Sequence, residues 1–252
     1  MRNVIVVFAV LFGTATLNAG LVNRYSFTTD ASDSVGSKNG TLQGTATVSG
    51  GALQLDGSGY ASLPTGIVSS LSSFTIETWV TESATSPNWS RVFDFGSGTP
   101  SYLFLSLDPG ATKYVWLATK PTSGSSETVV SDFSTNNTYV QHQVAVTYDD
   151  MTTTVKLYYD AALLASGVVS TAPSLMGATT QNYLGKSQFA GDGNFIGSIN
   201  EFRIYNNALS AAAISADGIA GPNALTSTPE PASFGMIGLG VVSLGLLSKR
   251  KR

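Results

Sequence analysis

Apolar side chains recur at every second position in several short runs of this chain. That period belongs to strands with one face in a core. Across 74–80, Phe74, Ile76, Thr78 and Val80 alternate with Thr75, Glu77 and Trp79. The same alternation marks 52–56, which ends on Gly57, Ser58 and Gly59. Further short β-rich runs occupy 21–27, 91–95, 102–107, 114–118, 182–185 and 198–205. Runs at 140–148 and 153–159 flank Asp149, Asp150, Met151 and Thr152, and predict a hairpin. The alanine-rich 208–216 carries the one convincing helix signal. Many short strands parted by turns predict an all-β sandwich of two antiparallel sheets. Trp79, Val144, Phe202 and Ile204 read as packing side chains of those sheets.

The two ends break the pattern. Arg2, an apolar stretch at 4–12 and the small Ala19 before Gly20 predict a signal peptide over 1–19. At the other end, Pro229, Glu230 and Pro231 precede an uncharged apolar run at 232–248, and the chain closes on Lys249, Arg250, Lys251 and Arg252. As a helix that run is about 25 Å long, near the lower limit for crossing a bilayer core. Its glycines suit a transmembrane helix, and the terminal cations hold that end on the cytoplasmic side. The expected organisation is therefore a signal peptide at 1–19, one domain at 20–225, and a linker with a membrane-spanning tail at 226–252.

Removing the ends changes the charge. The whole chain carries a formal net charge of −3, but five of its 13 basic residues and one of its 16 acidic residues lie outside 20–228. The remaining domain stands at about −7, which argues against nucleic acid or an anionic lipid surface as partner. There is no cysteine and only one histidine, His142, so neither disulfides nor a histidine-rich zinc site is available. His142, at the start of a strand, is expected to make a structural hydrogen bond. Glu201 and Arg203 read as a polar pair on one sheet face. Glycoside hydrolysis by retention needs two carboxyl groups about 5 Å apart. No predicted strand carries acids at alternate positions, and Asp149 and Asp150 are adjacent in a turn. G-x-S-x-G, G-x-G-x-x-G and P-loop motifs are absent. The chain is expected not to be an enzyme.

Two resemblances sharpen this reading. The tail, with Pro229, Glu230 and Pro231, the apolar run and the basic end, resembles the PEP-CTERM sorting signal of Gram-negative bacteria. That resemblance implies processing by an exosortase and a transient anchor in the inner membrane. It also implies delivery to the cell surface, the outer membrane or the extracellular matrix. The body resembles the LamG-like, concanavalin A-like jelly rolls. LVNRYSF at 21–27, ALQLDG at 52–57 and FTIETWV at 74–80 are similar to their early strands. HQVAVTYD at 142–149 and VKLYYD at 155–160 are similar to their hairpin. IGSINEFRIYN at 196–206 followed by ALS at 208–210 is similar to their closing segment. Asn200 stands where the family usually has Asp. The resemblance implies a jelly-roll sandwich and a structural Ca²⁺ held with Asn200, Asp30 and Asp33.

A carbohydrate-binding module fits these features. Trp89, in the turn 86–90, Tyr114 and Trp116 are the candidate aromatic faces, with Asn88 as a neighbouring amide. Polysaccharide or surface matrix would be the partner. The alternative is a structural or adhesive surface protein that binds other proteins or matrix without sugar specificity.

Overall fold

The computed structural model describes residues 20–110, 114–133 and 139–226. The expected signal peptide and the sorting tail with its 232–248 span lie outside the described residues. Among the described residues, no helix is long and apolar enough to cross a membrane.

Fifteen strands run in the order β1 (Leu21–Tyr25), β2 (Thr41–Gln43), β3 (Thr47–Ser49), β4 (Ala52–Asp56), β5 (Tyr60–Ser62), β6 (Phe74–Glu82), β7 (Phe93–Gly96), β8 (Tyr102–Ser106), β9 (Val115–Lys120), β10 (Thr128–Asp132), β11 (His142–Asp149), β12 (Thr154–Tyr159), β13 (Ala162–Val168), β14 (Gln181–Leu184) and β15 (Ile196–Tyr205). A short 3-10 turn, Pro173–Met176, precedes β14, and the one α-helix among the described residues, α1 (Ala211–Ala220), follows β15.

The strands form two antiparallel sheets. The first is ordered β13-β12-β11-β6-β15-β4-β3, with β1 also paired to β15. The second is ordered β10-β9-β8-β7-β14-β5-β2. The alternation in β6 sorts its side chains as expected: Phe74, Ile76 and Val80 join the core between the sheets, while Glu77 and Trp79 lie on the outer face. The hairpin also forms, with Asp149 opposite Thr154.

β15 carries a bulge between Ile199 and Glu201, at Asn200. One extra residue reverses the parity of the strand. Ile199, Phe202 and Ile204 therefore all reach the core, while Glu201, Arg203 and Tyr205 face outward. There Arg203 Nε meets Glu201 Oε1 at 2.8 Å, Arg203 Nη1 lies 3.5 Å from Glu77 Oε2, and Arg24 Nε reaches Glu201 Oε1 at 2.5 Å. The Arg203 guanidinium also sits 4.5 Å from the centre of the Trp79 ring. α1 covers this cluster. Ser210 caps it by accepting from Ala213 N (3.2 Å), and Asp217 is buried beside Arg203. After the helix, Asn223 O accepts from Arg24 and Ala224 O from Arg203, at 3.2 and 2.7 Å. Thr226 Oγ1 donates to Asp217. The last described residues are thus fastened to the outer face of the first sheet.

Candidate functional site

On the second sheet, alternation sends Leu103, Leu105 and Leu117 into the core. It turns Tyr102, Phe104, Ala118 and Trp116 outward, where they form a separate apolar cluster with Val129 and Phe189. Register brings them together, since Phe104 stands opposite Ala118, and Ser106 opposite Trp116.

Two connections complete the site. Trp89, between β6 and β7, has a left-handed backbone (φ 62°) that few non-glycine residues adopt. Its N–H donates to Asp108 O at 2.9 Å, and its carbonyl accepts from Arg91 Nη1 at 2.5 Å. These contacts hold the indole edge to face against Trp116, with centroids 5.7 Å apart. The row continues through Phe133, whose centroid is 6.2 Å from Trp116 and 4.6 Å from Tyr114. The β14–β15 loop folds over the sheet from the other side. Phe189 packs on Tyr102 and Phe104, at 5.4 and 6.3 Å between centroids. Gln188 fastens this loop by donating its N–H and Nε2 to the two carboxylate oxygens of Asp94, at 2.9 and 2.5 Å. Burial pushes the Asp94 pKa up to about 6.

Between the row and the loop lies an open cleft of about 260 Å³ lined by Trp89, Arg91, Tyr102, Phe104, Glu127, Phe189 and Asp192. Arg91 forms its floor. Its guanidinium lies 3.8 Å from the Phe104 ring centre, Nη2 donates to Asp192 Oδ2 at 2.9 Å, and Nε is 3.9 Å from Asp94. Tyr102 Oη donates to Glu127 Oε1 at 2.8 Å. Burial, then the bond to Glu127, raises the Tyr102 pKa.

Of the candidates read from the sequence, Trp89 lines the cleft, and Trp116 and Tyr114 extend from it through Phe133. Asn88 is exposed beside Trp89 but does not line the cleft. Sequence reasoning missed Arg91, Tyr102, Phe104, Glu127, Phe189 and Asp192. Tyr102 and Phe104 were legible as alternate positions of one strand. Phe189, Asp192 and Glu127 come from turns, where no period announces a direction.

His142 takes the structural place expected of it, with Nδ1 2.8 Å from Asp160 Oδ2 and its ring stacked on Tyr159. The expected calcium ligands do not fit a metal. The Asp33 carboxylate already accepts from the backbone N–H groups of Arg24, Val35, Gly36 and Lys38 and from Asn23 Nδ2, over 2.6 to 3.1 Å. Five donors exhaust the roughly four acceptor positions of a carboxylate. Asp30 is exposed and accepts from Ser32 N, and the Asn200 amide turns toward Gly51 O. Among the described residues, no three His, Cys, Asp or Glu side chains are grouped to hold a metal.

With this geometry in view, the family model for the concanavalin A-like lectin/glucanases superfamily matches residues 55–215. The chain belongs to this superfamily. Residues 227–252 match the PEP-CTERM protein-sorting motif, which implies export and surface association in Gram-negative bacteria. A search of curated proteins gave no match. Among solved structures, the fold is similar to domain 4 of AbnA, an extracellular GH43 arabinanase from Geobacillus stearothermophilus, solved in complex with arabinotriose. The two share 26% identity at a TM-score of 0.61, over 79% of this chain and 98% of that one. It is also similar to the CBM40 of the Ruminococcus gnavus IT-sialidase bound to α2,3-sialyllactose, at 18% identity and a TM-score of 0.53, over 70% and 97% of the chains. The binding domain of botulinum neurotoxin serotype D/C shares the fold at 14% identity and a TM-score of 0.64, over 78% and 51%.

Proposed function

We propose that this superfamily member is an exported, non-catalytic carbohydrate-binding protein of the cell surface or exopolysaccharide matrix, and that it binds sugar at the Trp89–Phe189 cleft. The cleft carries the reading. Aromatic rings on two sides offer faces for pyranose C–H groups, and Glu127 and Asp192 offer acceptors for hydroxyls. The arabinotriose complex of the arabinanase domain supports it by analogy of fold and sequence.

A binding role also suits the carboxylates. Glu77 and Glu201 are fully buried and engaged with Arg203, and Asp94 is fully buried beneath Gln188. None of the three can reach a glycosidic bond; the two acids that line the cleft, Asp192 and Glu127, each hold one oxygen on a protein donor, Arg91 and Tyr102 respectively. An exosortase is the expected processing partner, acting near Pro229, Glu230 and Pro231, with the apolar tail as a temporary membrane anchor until then.

The test is a polysaccharide pull-down and glycan array with the purified protein and its Trp116→Ala variant, which removes the ring that braces Trp89 at the cleft wall. Retention of wild type and loss with the variant is the expected result. If no polysaccharide retains the wild type, the reading fails, and a protein-binding surface role takes its place.

A further inference from the structure

Three carboxylates surround the single guanidinium of the cleft. Asp94 and Asp192 lie 3.9 and 2.9 Å from Arg91, so its charge is already compensated within the protein. The guanidinium is also covered: Phe104 lies against it at 3.8 Å, Trp89 and Phe189 lie at 5.5 and 5.7 Å, and Arg91 is only 2% exposed. A ligand anion would find no accessible face of this cation. It would instead meet Glu127 and Asp192. Each uses one oxygen internally, Glu127 Oε1 for Tyr102 and Asp192 Oδ2 for Arg91 and Ser187. No described residue donates to the other oxygens, Glu127 Oε2 and Asp192 Oδ1. Among the described residues, two other cations lie on this face outside the cleft's lining, Lys120 beside it as the cross-strand neighbour of Tyr102. Lys186 lies over Tyr60 and Tyr183, at 4.2 and 5.0 Å from their ring centres.

We infer that the cleft selects neutral glycans and rejects acidic ones, with Glu127 and Asp192 as the specificity-determining residues. The inference rests on the sugar-binding reading above and narrows it. Free carboxylate oxygens are strong acceptors for sugar hydroxyls, and the aromatic walls need only apolar ring faces. A uronate, sialate or sulfate placed there would face two like charges in a partly desolvated cleft. The compensated Arg91 offers nothing in return. The net charge of about −7 on the domain adds a repulsive field of the same sign.

The experiment measures retention of the full chain, in detergent, on two panels of immobilised polysaccharide. The neutral panel holds glucan, galactan, mannan and arabinan; the acidic panel holds polygalacturonate, alginate and polysialate. Trp116→Ala and Glu127→Gln are run beside wild type. The expected result is binding within the neutral panel alone, lost in Trp116→Ala. The preference over the best acidic polymer should be at least about tenfold and should shrink in Glu127→Gln, with little salt dependence on the neutral side. Acidic polymers bound as well as or better than neutral ones, through Trp116, would overturn the inference while leaving sugar binding intact. Retention on neither panel overturns both. Because Glu127 is exposed, its variant should fold, and the neutral-to-acidic ratio is a readout that general destabilisation does not move.

Discussion

The indoles of Trp89 and Trp116 meet edge to face at 82°, although one comes from a loop and the other from the start of a strand. Trp116 is placed by the period of β9. Trp89 is placed by a left-handed backbone held through Asp108 and Arg91. Such a conformation in a bulky residue costs about 1–3 kcal/mol and persists only where surrounding contacts impose it. Trp89→Gly should therefore be more stable than Trp89→Ala by about 1 kcal/mol, because both lose the ring and only glycine relieves the backbone. Urea titration of the two variants checks this. Equal midpoints would show that the backbone at 89 is unstrained.

The pH profile of stability should have two limbs of opposite origin. Burial, followed by the nearby Asp217, pushes the Glu77 pKa up to about 8, so the folded protein holds a proton that the unfolded chain releases near 4.5. Stability should fall as pH rises across that window, by at most about 1.4 kcal/mol per pH unit for one proton. Asp94, raised to about 6 by burial, adds a fall of the same sign between about 4 and 6. Asp33 acts in the other direction. Burial alone would raise its pKa, but donors from Arg24, Asn23, Gly36 and Val35 outweigh it and hold the carboxyl below its usual range. Its contribution is present above the ordinary carboxylate pKa and is lost as pH falls through the lowered one. Thermal melts from pH 3 to 9 should peak near 4 to 5, and Glu77→Gln should flatten the fall toward pH 8.

Chelation should leave the melting temperature unchanged, since five protein donors already occupy Asp33. Asp33→Ala should cost on the order of 3 kcal/mol by leaving those donors buried without an acceptor. A melting temperature that drops in EDTA would restore calcium as a ligand of this loop.

The segment after α1 should matter to stability. A chain ending at 226 should melt with the full chain. One ending at 220 removes the acceptors for Arg24 and Arg203 and the Thr226 donor to Asp217, and should lose about 2–4 kcal/mol. Paired denaturant titrations decide it.

The sequence made the central strands plain because a period of two needs length to show. The predicted 52–56 run coincides with β4, and the predicted 74–80 run falls within β6. Where the signal was short it failed. β2, β3 and β5 have three residues each, too few to display a period. β13, with Ala162, Ala165, Ser166 and Gly167, is an edge strand whose side chains are mostly half-buried or exposed, so it shows no alternation. The predicted helix at 208–216 begins three residues before the real one, because Ser210 caps the turn and Leu209 packs ahead of it. Trp79 is buried as expected, but against Arg203 on the outer layer rather than between the sheets. For the site, the aromatic residues were visible and their company was not. Glu127, Phe189 and Asp192 converge through loop folding, which depends on anchors such as Gln188 on Asp94 that lie 94 positions apart.

The fastening of residues 223–226 has a mechanical consequence. A pull applied beyond Thr226 would enter the domain through Arg24, Arg203 and Asp217, and so load β1, β15 and α1. Of the cleft's rings, Tyr102 and Phe104 stand on β8, in the other sheet, and Trp89 and Phe189 on loops beside it. Load entering at residues 223–226 and occupancy of the proposed cleft would thus fall on different layers of the sandwich.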